Sequence, residues 1–163
     1  MDYLWTPWRY AYITNAEKIS GCIFCQLQAA GEDEKVHIAY RGQHCFVILN
    51  TFPYTSGHVM VVPYQHLDEL QKLPPEASQE MMGLTQKMEG VLRRLYQPDG
   101  VNLGMNIGKA AGAGVAGHIH MHVLPRWVAA FIRLRTQLAV LSATQEPGKH
   151  QVPGGPVIPP AHL

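Results

Sequence analysis

One short segment constrains this chain more than any other: Gly117-His118-Ile119-His120-Met121-His122-Val123-Leu124-Pro125-Arg126-Trp127. Imidazole and apolar side chains alternate in it with a period of two, the period of a β-strand, whose successive side chains leave on opposite faces. On such a strand His118, His120 and His122 share one face with rings roughly 6.5–7 Å apart, while Ile119, Met121 and Val123 point into a core. A row of imidazoles can be a solvated edge, a metal-binding tract or a reactive face that touches several groups along one polyphosphate. Its surroundings favour the reactive face, because Gly108-Lys109-Ala110-Ala111-Gly112-Ala113-Gly114 precedes it and Pro125-Arg126-Trp127 closes it.

The chain has 163 residues, the size of one ordinary domain, and 47% of them are hydrophobic, enough to build a core. No apolar run is long enough to cross a membrane. The N-terminus lacks the pattern of a secretory signal, and three cysteines cannot all pair within one chain, so a reducing, cytoplasmic setting is expected. A formal net charge of +1 provides no broad basic footprint. Any polyanion the chain handles is therefore small and held locally, a nucleotide rather than a nucleic acid.

Periodicity supplies the remaining elements. Val36–Tyr40 and His44–Leu49 flank Arg41-Gly42-Gln43 as a hairpin, and His58–Val62 follows a turn-rich stretch as a third strand. From Pro75 to Tyr96, Met81, Leu84, Met88, Val91, Leu92 and Leu95 recur at helical spacing between a proline start and a Pro98-Asp99-Gly100 stop. Val101–Ile107 reads as a strand, and the histidine strand completes the sheet. The predicted class is α+β: an antiparallel sheet of about five strands with one long helix and a shorter one at Phe131–Leu141. Residues 3–13 hold five aromatics, suited to an arm packed on the body or a neighbouring subunit, or to base stacking. The organisation expected is a domain over 1–127 that includes this arm, then a segment over 128–163 that becomes a proline-rich tail from about 145.

His118–Trp127 resembles the signature of the histidine-triad (HIT) superfamily of nucleotide hydrolases and transferases, His-φ-His-φ-His-φ-φ, commonly followed by Pro-Arg. The resemblance reaches back through Asn50-Thr51-Phe52-Pro53-Tyr54-Thr55-Ser56-Gly57-His58-Val59-Met60-Val61-Val62-Pro63 and covers roughly residues 20–127. Leu4-Trp5-Thr6-Pro7-Trp8-Arg9, Asn106-Ile107-Gly108 and Trp127 look like the bacterial diadenosine-tetraphosphate phosphorylase branch. The resemblance implies a HIT-like fold, a homodimer and a nucleotide or dinucleoside polyphosphate substrate, without an organic cofactor. It makes His120 the nucleophile on the α-phosphorus and His122 a donor to the non-bridging oxygens. A neutral imidazole is competent in that role near pH 7 when its other nitrogen donates to a fixed acceptor. It also places Asn50 at the ribose with His58 beside it. Asn106 falls near the phosphates or the leaving group, and Lys109 and the backbone amides around Gly112–Gly114 are candidate phosphate contacts, set against a solvated lysine for Lys109.

Cys22-Ile23-Phe24-Cys25 alone reads either as half of a zinc site or as a redox pair. In zinc-bearing members of the superfamily the corresponding cysteines join the histidine of Pro-x-x-His and the first triad histidine. Here these are His66 in Pro63-Tyr64-Gln65-His66 and His118, so the resemblance implies a closed, structural Zn²⁺ site. Cys45, inside an apolar strand, is expected to be buried and inert. Two departures stand out. Gly112-Ala113-Gly114 replaces the Gly-Gln-Ser/Thr of many members, and Val128-Ala129-Ala130-Phe131-Ile132-Arg133 replaces a Gly-Asp-Thr-Asn-Phe-like continuation, as a reading-frame change near codon 128 would produce. The competing function is a nucleotide-binding regulatory or scaffold module that keeps the fold without turnover.

Overall fold

Continuous apolar runs make strands that are covered on both faces, and two such runs form the centre of this sheet. In the computed structural model, which describes residues 21–128, these are β2 (Cys45–Leu49) and β3 (Val59–Pro63), paired antiparallel from Cys45↔Pro63 to Leu49↔Val59. The aromatic arm at 3–13, the shorter helix expected at Phe131–Leu141 and the proline-rich tail lie outside the described residues. β1 (Ile38–Arg41) joins the outer side of β2 with a bulge between Ile38 and Tyr40. β5 (Met121–Arg126) joins β3, and β4 (Gly100–Gly104) forms the far edge, giving the antiparallel order β1-β2-β3-β5-β4. The expected five-stranded α+β architecture is observed. The first strand starts later than Val36 because a one-turn helix, α2 (Asp33–Val36), claims that residue and His37 then turns left-handed at φ 63°. A short helix, α1 (Ile23–Ala29), precedes it.

The long helix, α3, spans Pro75–Tyr96, the bounds that its proline start and apolar spacing predict. Its Ala77, Met81, Leu84 and Leu92 pack with Cys45, Val47, Val59, Val61, Ile119 and Val123 on one face of the sheet. The opposite face carries a second core of Phe24, Ile38, Phe46, Ile48, Met60 and Val62. Adjacent residues of β2 and β3 thus enter different cores, which explains why those strands read as unbroken apolar runs. Leu95, expected on the buried stripe of α3, is 71% exposed in the last turn. No helix among the described residues is long and apolar enough to cross a membrane.

Helix and sheet are also pinned together by a carboxylate. Glu80 of α3 accepts the backbone N–H groups of Gln43 at 2.7 Å and His44 at 2.5 Å, in the turn between β1 and β2, and that of Cys45, the first residue of β2, at 3.0 Å. Gly42 leaves the room for it, since a Cβ there would collide with the Glu80 carboxylate and the Cys45 carbonyl. Burial opposes the charge, but the three amides outweigh it and hold the Glu80 carboxyl below the usual glutamate range. Replacing Glu80 with alanine is expected to cost about 1–2 kcal/mol at neutral pH, because it strands three donors that met a charged acceptor. A depressed carboxyl pKa stabilises above the unfolded value, about 4.3, and that contribution is lost as pH falls through the folded value. Urea melts should therefore show the difference between wild type and variant at pH 7 shrinking below about pH 4; a difference independent of pH would remove Glu80 from this role.

Candidate active site and metal centre

The histidine strand is shorter than the alternation predicts. β5 begins at Met121, so His122 alone of the three lies in it, and His118 and His120 precede it. The last pair between β3 and β5 is Val61↔Met121. Two residues on, Pro63 has no N–H to continue the ladder, and its carbonyl is taken by His118 Nε2–H at 2.9 Å. The Ile119 amide donates instead to Leu67 O at 2.7 Å. The rings consequently leave the even spacing of a strand. The centroids of His120 and His122 are 4.7 Å apart, and His118 is turned towards Cys22, Cys25 and His66. Ile119 and Val123 are buried in the core beneath α3, with Met121 partly buried beside them, as the alternation requires.

His120 is 4% exposed. Its Nδ1 lies 2.9 Å from the carbonyl of His118; a carbonyl only accepts, so Nδ1 carries the proton and Nε2 keeps its lone pair. Burial pushes the His120 imidazole below its ordinary range, against the opposing effect of that hydrogen bond, which keeps the ring neutral near pH 7. Phe24 packs against it, centroid to centroid 4.9 Å.

The state of His122 follows from a chain of contacts that starts in the 51–57 turn. The Phe52 amide donates to Asn50 Oδ1 at 2.9 Å, which orients the Asn50 side chain so that Nδ2 points to His58 Nδ1 at 3.1 Å. The Tyr54 amide donates to the same His58 Nδ1 at 3.3 Å. Two donors converging on one ring nitrogen make it an acceptor, so the His58 proton is on Nε2, which donates to His122 Nδ1 at 2.9 Å. The proton of His122 is thereby placed on its Nε2. Tyr54 stacks on His58, and Thr55 Oγ1 donates to Pro125 O, tying this turn to β5. Among the described residues one N–H and one lone pair of the Asn50 amide remain unused, and Asn50 is not among the residues lining the cleft beside His122.

His122 opens on a cleft of about 180 Å³ that Tyr54, Asn102, Asn106 and Arg126 also line. Asn106 reaches the neighbouring loop through Nδ2 to Gly112 O at 3.5 Å. Lys109, Gly112 and Gly114 belong to that loop and are not among the residues lining the cleft. Lys109–Ala111 form a 3-10 turn, and Gly112 follows at φ +83°, a conformation that side chains disfavour. The amides of Gly112 and Ala113 donate to the carbonyls of Lys109 and Gly108 within the loop.

On the other side of His120, four metal-ligand atoms come together. Cys22 immediately precedes α1 and Cys25 lies within its first turn, while His66 follows β3 and His118 precedes β5. The two sulfurs and two imidazole nitrogens lie within 4.8 Å of one another. The separations are 3.3 Å from Cys22 Sγ to His118 Nδ1, 3.4 Å from Cys25 Sγ to His66 Nδ1 and 3.7 Å from Cys25 Sγ to His118 Nδ1. Tetrahedral Zn²⁺ with ordinary Zn–S and Zn–N bonds requires about 3.6 Å between sulfur and nitrogen ligands, so the residues fit that ion. The Pro63 contact keeps the His118 proton on Nε2 and aims Nδ1 at the thiols, the outer-shell arrangement metal-bound histidines use. Burial, then the neighbouring Cys22, raises the Cys25 thiol. Cys45 is fully buried, with its thiol pushed up to about 12 by desolvation, which makes it inert as expected.

A family profile for the HIT domain matches residues 32–128, which include all three triad histidines. The chain belongs to the HIT family. This HIT protein is 37% identical to the AP-4-A phosphorylase of Mycobacterium tuberculosis, over 78% of the chain and 69% of the relative. It is 30% identical to Protein hit of Bacillus subtilis, over 65% and 71% respectively. Among solved structures, a Zn-bound histidine triad family protein from Mycobacterium smegmatis superposes with a TM-score of 0.59 at 29% identity, covering 77% of this chain and 98% of that one. Cys22 and Cys25 precede the matched domain, so two of the four candidate metal ligands come from outside it.

Four residues of the HIT site escape a reading of the sequence: Phe24, Tyr54, Asn102 and Arg126. Phe24 was hidden as the spacer of a Cys-x-x-Cys, yet its ring lies against both His118 and His120. Asn102 sits in a strand whose alternation is visible, and the absence of a side chain at Gly100 and Gly104 on the same face was the available signal.

Proposed function

We propose that this HIT protein is a nucleotidyl hydrolase or transferase that cleaves a nucleoside polyphosphate such as diadenosine tetraphosphate. The observation that carries this reading is the set of contacts of two adjacent rings, with centroids 4.7 Å apart: His120 Nδ1 meets the His118 carbonyl, which leaves a lone pair on Nε2, and His122 Nδ1 meets His58 Nε2, which leaves Nε2 of His122 to donate. His120 Nε2 attacks the α-phosphorus; the bond to the bridging oxygen breaks and the leaving polyphosphate takes its electron pair. His122 donates to the non-bridging oxygens as charge builds there. An acceptor then attacks the same phosphorus, breaks the phosphorus–nitrogen bond and restores the neutral imidazole. His58 positions His122, and Asn50 orients His58 while offering its remaining polar capacity to a ribose. Asn106, on the cleft wall, serves the phosphates, and the loop bearing Lys109, Gly112 and Gly114 is tied to it through Asn106 Nδ2 to Gly112 O. Zn²⁺, where bound by Cys22, Cys25, His66 and His118, supplies a structural cross-link. The reading also holds the protein to be a homodimer, with Leu103 of the edge strand β4 and Ile107 after it as exposed apolar surface, in a cytoplasmic setting.

The 37% identity to an AP-4-A phosphorylase supports inorganic phosphate as the acceptor. Incubation with diadenosine tetraphosphate, with and without phosphate, is expected to give ADP plus ATP only when phosphate is present. AMP plus ATP formed without regard to phosphate would replace phosphorolysis by hydrolysis. Nucleotide binding without turnover would make the chain a binding module instead.

A further inference from the structure

Among the described residues that line the cleft beside His122, Arg126 is the one Arg or Lys, and none is Asp or Glu. It stands four residues beyond His122 on β5, so both side chains leave the same face, with Cα atoms roughly 13 Å apart. Asn102 shortens that gap. It pairs across the sheet with Leu124, the residue between His122 and Arg126 on this face, and its Oδ1 accepts Arg126 Nε–H at 2.6 Å. The contact holds the guanidinium against Asn102, whose pair with Leu124 is the next on this face to the pair of Gly104 with His122. The positions of β4 that face Arg126 and His122 are Gly100 and Gly104, and a Cβ built at either meets nothing within 4 Å. Among the described residues the space beside Arg126 is therefore open.

The partner of the guanidinium sets its chemistry. Asn102 is a neutral amide, and no carboxylate among the described residues pairs with Arg126. A neutral acceptor fixes the orientation without cancelling the charge, and one Nε contact leaves both terminal amino groups for two parallel bonds to a phosphate. The geometry points to Arg126, oriented by Asn102, as the cation of a second phosphate subsite beside His122. Building on the nucleotidyl-transfer reading, this subsite takes a phosphate oxyanion distinct from the one that His120 attacks. The two sources of such an oxyanion are the distal phosphates of the substrate and the inorganic phosphate acceptor.

Arg126→Gln and Arg126→Lys, both at an exposed position, separate these sources. Each is assayed on diadenosine tetraphosphate and on an aryl ester of AMP, which carries the α-phosphate and no others, with inorganic phosphate titrated on both. Recognition of distal phosphates is expected to lower kcat/KM of Arg126→Gln on the tetraphosphate roughly 10- to 100-fold more than on the ester, with Arg126→Lys recovering part of the loss. Recognition of the acceptor is expected to raise KM for inorganic phosphate by a similar factor on both substrates. Equal kinetics on both substrates, with KM for phosphate unchanged, would overturn the subsite. If wild type turns over neither substrate, the nucleotidyl-transfer reading fails by itself. Calorimetry with inorganic tripolyphosphate then tests the subsite alone: weaker binding by Arg126→Gln supports it and equal binding overturns it.

Discussion

Replacement of His120 by alanine is expected to lower turnover of diadenosine tetraphosphate by roughly 10⁴-fold or more while leaving nucleotide affinity within a few-fold of wild type. A nucleophile forms its decisive bond only in the transition state, so its removal lowers kcat far more than ground-state binding. Little else in the site depends on this ring. Among the described residues, buried His120 makes one hydrogen bond, through Nδ1 to the carbonyl of His118, and its ring packs against Phe24 and His122. Intact-mass measurement after rapid quenching supplies a second readout. Wild type should carry a transient adduct of one nucleoside monophosphate, and the variant none. An adduct on the variant, or turnover like that of wild type, would move the nucleophile elsewhere, with His122 the next residue to test.

The second large effect concerns the metal. Protein prepared without an affinity tag is expected to hold about one zinc per chain, and chelation to destabilise it by roughly 3 kcal/mol, on the order of 10–20 °C in Tm. The loss should be partial because the sheet and α3 keep a core that contains none of the four ligands. What depends on the metal is the attachment of α1. Cys22 and Cys25 flank Phe24, which closes the second core and lies against the rings of His118 and His120. Cys25→Ser should therefore lower Tm much as chelation does, and hydrogen exchange should quicken in Ile23–Ala29 before it does in β2 and β3. A preparation free of metal with unchanged Tm and exchange would leave Cys22 and Cys25 as ordinary thiols.

Local pattern by itself determined much of this HIT protein. The helix at Pro75–Tyr96 is marked by its own proline start and apolar spacing, and the central strands by runs that only burial on both faces accommodates. These signals lie within a few residues of each other, the range over which backbone periodicity operates. The triad motif likewise marked His118, His120 and His122, and the Cys-x-x-Cys marked two thiols. Tertiary structure decided how they are used. Pro63 ends the β3–β5 ladder at Met121, and that interruption, invisible in the alternation, turns His118 towards the cysteines and brings His120 to 4.7 Å from His122. Antiparallel register sets Asn102 opposite Leu124, where it meets Arg126, and folding of the 51–57 turn brings His58 to His122 across 64 residues of chain. A hydrogen bond between distant residues depends on register and on which acceptors the backbone leaves open, and neither has a period that a sequence displays.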